Sequence, residues 1–326
     1  MGTVRVLTTG GTIATRTGAN GNTIARASGA DLVSGLVVDG VRIEVEDVFR
    51  LGSFRMTCQR IHELALRVER SLRDPEVSGV VVTHGTDTLE ETALFLDLFL
   101  DPGRPIVITG AQRAADAPDS DGPRNLADSV RVAAAPSSRG LGVLVVFDGS
   151  VFPAMGTQKV RTLESTAFGS SGGSLGWVQG SSVHLTSRLE PRPRLELASF
   201  ASPRARVDIV PCYPDADDTA LRALVAAGAR GIVLEATGAG NANPVICSAV
   251  EELTAAGVVV ATSTRVAAGP VSPIYGDGGG ADLLRAGAVP TGLLRPAQAR
   301  VLLAALLGVG FDPDTARERL LRYVTG

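Results

Sequence analysis

Between residues 3 and 147 the chain alternates short Val/Ile/Leu-rich runs with longer stretches of helical periodicity, and few architectures accept that alternation. The apolar runs fall at residues 3–9, 42–48, 77–83, 105–109 and 141–147. They lack a polar face, as strands buried on both sides do, which points to a parallel sheet covered by helices. The intervening segments 57–73, 87–100 and 123–135 repeat their apolar residues with a helical period and open on Thr, Asp or Pro, which suit a helix start. Right-handed βαβ crossovers follow from that order. Residues 187–206 contain three prolines and no sustained period, and read as a linker. Beyond them the alternation resumes: strands at 207–210, 231–235 and 257–262, helices near 219–227 and at 244–256, and closing helices at 296–307 and 313–323. The expected fold is α/β. A larger N-terminal catalytic domain (residues 1–186) has a parallel-rich sheet flanked by helices, and a smaller C-terminal α/β domain (residues 207–326) follows the linker.

Composition narrows the function. With 44% hydrophobic and 20% charged residues and a net charge of −3, the chain fits neither a disordered protein nor a basic nucleic-acid binder. No run of about 18 apolar residues suggests a membrane span, and the opening residues read as a strand rather than a signal peptide, so a cytoplasmic protein is expected. Cys58, Cys212 and Cys247, like His62, His84 and His184, are scattered, which argues against a disulfide framework and a zinc site. Lys159 is the one lysine among 31 basic residues. Arginine holds its proton at working pH whereas a desolvated lysine can release it, so a site that moves protons cannot accept arginine in its place.

In an open parallel sheet, ligands bind beyond the carboxyl ends of the strands. The first strand ends in Thr8-Thr9-Gly10-Gly11-Thr12-Ile13-Ala14, where two glycines allow a tight turn that presents Thr12. The spacing is not that of a dinucleotide fingerprint. The third strand ends in Thr83-His84-Gly85-Thr86-Asp87-Thr88-Leu89-Glu90-Glu91-Thr92 and runs into a helix. Thr86 or Asp87 as a helix cap, with Glu90 and Glu91 in the positive first turn, accounts for part of this segment. It does not account for the crowd of hydroxyls where the fold places ligands, and the two readings are compatible.

Together these two segments resemble the paired signatures of the bacterial L-asparaginase/glutaminase family of amidohydrolases. The similarity extends through Gly110-Ala111-Gln112-Arg113, Ser120 to Leu126, residues 142–159, Gly240 to Asn243 and Pro296 to Arg300, and so spans nearly the whole sequence. The resemblance implies that Thr12 is the nucleophile that attacks a side-chain amide, and that Thr86, Asp87 and Lys159 form a relay, so the lone lysine coincides with a family catalytic position. A threonine hydroxyl is a weak nucleophile and needs such an activating base. The resemblance further implies substrate contacts from Gly11, Ser53, Gly85 and Ala111, with backbone amides of the Gly11-Thr12 turn as candidate oxyanion donors. Asn243 matches a position that serves a neighbouring subunit's site. The implied partners are L-asparagine and further copies of the protein, as a tetramer built from two dimers; no cofactor, metal, nucleic acid or membrane is implied.

The sequence also departs from the family pattern. Many members carry a tyrosine in the loop after the first strand, and residues 15–30 contain none. Thr15, Thr17 and Thr23 offer hydroxyls there. Tyr275, in the Gly-rich segment 275–280, is either a contribution to a neighbouring site or a turn-packing aromatic. Phe54 follows Ser53 where members usually have a polar residue, which weakens the expected selectivity for a free α-amino acid. Residues 271–280 also replace the small domain's usual acidic segment. Alternatives left open are a different amide (L-glutamine, D-asparagine or another) and a weakened protein of the same fold that binds or senses amino acids.

Overall fold

The apolar run that opens the sequence becomes β1 (Gly2–Gly10), and the largest sheet among the described residues is arranged about it. The computed structural model describes residues 2–17, 23–101, 103–190, 192–201 and 206–325. The protein divides into two compact units, residues 1–194 and 195–326.

In the first unit, β1 is followed by an antiparallel hairpin of β2 (Thr15–Thr17) and β3 (Thr23–Ala25), then α1 (Gly29–Val33), β4 (Val41–Leu51) and α2 (Cys58–Arg73). Thr57 caps α2, its hydroxyl accepting from the Arg60 amide at 3.2 Å. Ile61, Leu64, Ala65 and Val68, spaced as one helical face, are buried; each larger aliphatic group of this kind contributes ~1.5–3 kcal/mol on burial. Next come β5 (Val77–Thr83), α3 (Leu89–Phe99), β6 (Ile106–Thr109), α4 (Gly122–Ala134) and β7 (Val143–Phe147). The five runs read as strands from the sequence are the five parallel neighbours β7-β6-β5-β1-β4.

The sheet then changes character. β8 (Ser150–Pro153) turns back beside β7; β9 (Thr157–Lys159) and β10 (Phe168–Ser170) form their own ribbon; β11 (Gly176–Gln179) and β12 (Ser182–Leu185) complete the eight-stranded order β12-β11-β8-β7-β6-β5-β1-β4. These additions pair antiparallel.

The topology places the functional end. From β1 the backbone crosses to β4 on one side and returns to β5 on the other, so the strand order reverses between β1 and β5. A crevice opens at such a switch point, beyond the carboxyl ends of those two strands.

The second unit is a four-stranded parallel sheet, β13 (Val207–Pro211), β14 (Gly231–Ala236), β15 (Val259–Thr264) and β16 (Val289–Pro290). Its helices are α5 (Thr219–Ala226), α6 (Pro244–Ala255), α7 (Gly280–Arg285), α8 (Pro296–Gly308) and α9 (Pro313–Thr325). Within the stretch expected as a linker, residues 191 and 202–205 lie outside the described residues; a 3-10 turn forms at Leu197–Ser199, and Leu195, Leu197 and Phe200 are buried. Among the described residues no helix is long and apolar enough to cross a membrane.

Candidate active site

Three loop ends converge in the crevice because glycines let them. Gly10 and Gly11 have φ of 100° and 78°, a region side chains disfavour. A Cβ on Gly11 would stand 2.4 Å from both the Cα and the amide nitrogen of Gly85, and one on Gly85 would stand 2.7 Å from Ser53 Oγ. The loops after β1, β4 and β5 therefore touch through glycine backbone. The Gly11 amide donates to the Leu51 carbonyl at 3.0 Å, so its part in the site is this close approach rather than a proton offered to an oxyanion.

Thr12 opens a 3-10 turn, Thr12–Ala14, in which Ile13 and Ala14 are buried and Thr12 is half-buried. Thr15 Oγ1 donates to the Thr12 carbonyl at 2.8 Å. A cavity of about 300 Å³ is lined by Gly11, Thr12, Thr15, Ser53, Gly85, Thr86 and Asp87, with Ile24, Arg50, Phe54 and Arg55 at its other walls. Seven of the residues singled out from the sequence thus share one cavity. Thr17 and Thr23 lie in the β2–β3 hairpin, but their side chains are outside the described residues.

Lys159, at the end of β9, reaches this cluster from the far end of the unit's sequence. Its Nζ donates to Thr86 Oγ1 at 2.8 Å and lies 3.0 Å from Asp87 Oδ1. Thr86 Oγ1 in turn donates to Gln112 Oε1 at 3.0 Å. This geometry decides against the capping reading. A 3-10 turn, Thr86–Thr88, precedes α3, so Thr88 occupies the cap position without a side-chain cap bond. Thr86 and Asp87 are turned to the lysine instead. The Asp87 amide donates to Ser53 Oγ at 3.2 Å, fixing the buried serine beside the turn.

Glu90, expected in the helix's first turn, accepts from the Lys159 amide through its carboxylate and so ties β9 to α3. Burial pushes its carboxyl up to about 7, against the lowering effect of that amide bond. His84, fully buried, donates from Nδ1 to the Gly85 carbonyl at 2.7 Å, and Nε2 accepts from Thr92 Oγ1 at 3.1 Å. Burial brings it down to about 4, so the imidazole is neutral.

Ala111 is fully buried directly after β6, beside a loop pinned by Asp121, whose carboxylate accepts from the Gln112 and Arg113 amides at 2.9–3.1 Å. Asn125 Nδ2 donates to the Gly110 carbonyl at 3.0 Å, and its Oδ1 accepts from the Asp148 amide. Asn243 and Tyr275 belong to the second unit. Asn243 caps α6, its Oδ1 accepting from the Ile246 amide at 2.9 Å and its Nδ2 donating to the Ala216 carbonyl at 2.7 Å, while Tyr275 is exposed. Among the described residues no group of three His, Cys, Asp or Glu could hold a metal ion.

Family models match both units in turn: the asparaginase N-terminal domain over residues 3–191 and the glutaminase/asparaginase C-terminal domain over residues 206–320. The chain belongs to the asparaginase family. In this asparaginase-family protein the first match includes Thr12, Ser53, Thr86, Asp87 and Lys159, and the second includes Asn243 and Tyr275. It is similar to the L-asparaginase of Bacillus licheniformis, 37% identical over 308 residues, with 93% of this chain and 95% of the relative covered. It also resembles the glutaminase-asparaginase of Pseudomonas aeruginosa, 33% identical over 276 residues, covering 82% and 76% of the two sequences. The crystal structure of a probable cytoplasmic L-asparaginase from Campylobacter jejuni superposes with a TM-score of 0.87 at 29% identity, covering 98% of this chain and 99% of the other.

Proposed function

We propose that the protein is an L-asparaginase, hydrolysing the side-chain amide of L-asparagine to L-aspartate and ammonia through a threonine acyl-enzyme. The observation that carries this reading is the contact of Lys159 with Thr86 and Asp87 on the cavity that also exposes Thr12. The Thr12 hydroxyl adds to the amide carbon, its proton passes to the leaving nitrogen as the C–N bond breaks, and water then cleaves the ester. A hydroxyl has one proton and two lone pairs. In Thr86 the proton goes to Gln112 and one lone pair to Lys159, which leaves one lone pair to accept a hydrogen bond from Thr12 or from the attacking water and so orient it. Ser53 and Asp87 bind the α-carboxylate and α-nitrogen. The reaction as written needs no cofactor.

The test is ammonia release with L-asparagine and L-glutamine side by side. Asparagine-dependent release should fall by ~10³-fold or more in Thr12→Ala, and full release from that variant, or calorimetric binding of asparagine without turnover by the unaltered protein, overturns the reading. We also propose a homotetramer made of two dimers, in which Tyr275 faces a neighbour's site. Its support is the family resemblance together with Ile274 and Tyr275, 69% and 58% exposed and adjacent. A monomer by light scattering contradicts it. A cytoplasmic location is supported by the likeness to the Campylobacter jejuni structure, and cell fractionation tests it.

A further inference from the structure

One short segment of the chain holds Lys159 at both ends. Its Nζ donates to Thr86 Oγ1 at 2.8 Å and lies 3.0 Å from Asp87 Oδ1, while its main-chain N–H donates to the Glu90 carboxyl group. The strand that carries the lysine needs this second tie. β9 pairs with β10 in a two-stranded sheet of three residues a side, separate from the eight-stranded sheet that carries β5, and a ribbon of that size has little stability of its own. Its first residue, Thr157, is held by a bond from Oγ1 to the Pro153 carbonyl, and β10 is seated through Phe168, whose ring centroid lies 5.0 Å from that of Phe147. At the other end Lys159 stands opposite Phe168, and the next residue, Val160, sends its N–H across the ribbon to the Ala167 carbonyl at 2.7 Å. Donor directions alternate along an antiparallel strand, so the Lys159 N–H leaves the ribbon on its far edge. Glu90, in the first turn of α3, receives it there.

We propose that Glu90 is a positioning residue for the amide hydrolysis: by accepting the main-chain N–H of Lys159 it sets the end of β9 against α3 so that Nζ reaches Thr86 and Asp87 together. The inference rests on the amidohydrolase reading above and goes beyond it, because Glu90 is not among the residues that line the cavity and acts through the lysine. A lysine has a flexible four-carbon stem, and it meets two partners at once only from a narrow range of root positions. A shift of about 1 Å at a catalytic group can cost about 100-fold in rate. Glu90 is part-buried, and burial, aided by the neighbouring Glu91, raises its carboxyl to about 7 against the lowering effects of the Lys159 amide and ammonium. Near neutrality the group is therefore divided between its two protonation states. Both present an oxygen to the amide, and so does the side chain of a glutamine.

Steady-state ammonia release from L-asparagine by the unaltered protein and by Glu90→Ala, Glu90→Gln and Glu90→Asp tests it. Glu90→Ala should lose about 100-fold in kcat with KM changed by less than about threefold. Glu90→Gln, which keeps an accepting oxygen, should stay within about fivefold of the unaltered protein, and Glu90→Asp, which keeps the charge but withdraws the oxygen by one methylene, should lose about 10-fold. A second readout separates this role from general support of the fold. In a Lys159→Ala background Glu90→Ala should cost no more than about threefold further, since a residue that acts through the lysine then has nothing to position. If Glu90→Ala does not fold, the other two variants decide: kcat lower in Glu90→Asp than in Glu90→Gln supports the inference, and the reverse or equality overturns it. It is also overturned by equal losses in Glu90→Ala and Glu90→Gln, by a rise in KM with kcat unchanged, or by an undiminished loss in the Lys159→Ala background. Each of those outcomes leaves the amidohydrolase reading standing. No ammonia from the unaltered protein with either L-asparagine or L-glutamine overturns both.

Discussion

A single lysine in a protein otherwise supplied with arginine stands where a proton has to move. Lys159 has a hydroxyl at 2.8 Å and a carboxylate at 3.0 Å, contacts an arginine could reproduce as a charge but not as a proton donor and acceptor. Lys159→Arg should lower kcat by ~10²–10⁴-fold, the range general acid–base catalysis supplies, with a smaller change in KM and an unchanged melting temperature. Activity within tenfold of the unaltered protein would reduce the lysine to an electrostatic prop. The residues of this cluster are legible one at a time, since hydroxyls and a carboxylate at strand ends stand out in the sequence. Their partners are not. Gln112 and Glu90 take their places through bonds spanning 26 and 69 residues, and neither type announces such a role in a linear pattern. Asn243 shows the converse: resemblance implies a substrate contact, while both ends of its amide are occupied as the cap of α6.

At the scale of elements, the site exists because three loops meet without side chains between them. Gly85→Ala would drive a methyl to within 2.7 Å of Ser53 Oγ, and Gly11→Ala would place one 2.4 Å from backbone at a φ of 78°. Backbone cannot yield as a flexible side chain does, so Gly11→Ala should separate the loops and abolish turnover. Gly35→Ala is the control: its φ is 76°, nothing lies within 4 Å, and the cost is the ~1–2 kcal/mol of the left-handed backbone alone. Equal activity losses in the two variants would show that the close approach does not hold the site. The same scale separates what the sequence reveals of the fold from what it hides. β5 occupies residues 77–83 as read, because a strand buried on both faces is a continuous apolar run. The antiparallel half leaves no such mark. β8 to β12 have three or four residues each, and β11 alternates buried with exposed positions, too short a pattern to outweigh the glycines and serines around it. α3 starts two residues later than the pattern predicts, because the 3-10 turn that displays Thr86 and Asp87 carries the polar residues of a cap.

For the molecule as a whole, two groups near the switch point, the buried His84 and the part-buried Glu90, pull stability in opposite directions with pH. His84 is held near 4 from an ordinary 6.5, so between those values the unfolded state binds a proton that the folded state refuses. Its contribution is full above 6.5 and is lost as pH falls towards 4. Glu90 is held near 7 from an ordinary 4.5, so the folded state keeps a proton that the unfolded state releases. Its contribution is full below 4.5 and is lost as pH rises towards 7. The windows overlap between 4.5 and 6.5, where the two slopes oppose each other and the unaltered protein should show little net dependence from this pair. Removing either group uncovers the other. Glu90→Gln keeps an oxygen for the Lys159 amide but does not titrate, so its stability relative to the unaltered protein should climb as pH rises from 4.5 to 7. His84→Gln, compared in the same way, should gain as pH falls from 6.5 to 4, even if it is less stable at every pH because the Gly85 and Thr92 bonds are disturbed. Urea unfolding of the three proteins at half-unit steps from about pH 4 to about pH 8 reads both differences. Three parallel curves would mean that neither group changes its proton affinity on folding, and that the burial of this pair has no bearing on how the fold responds to pH.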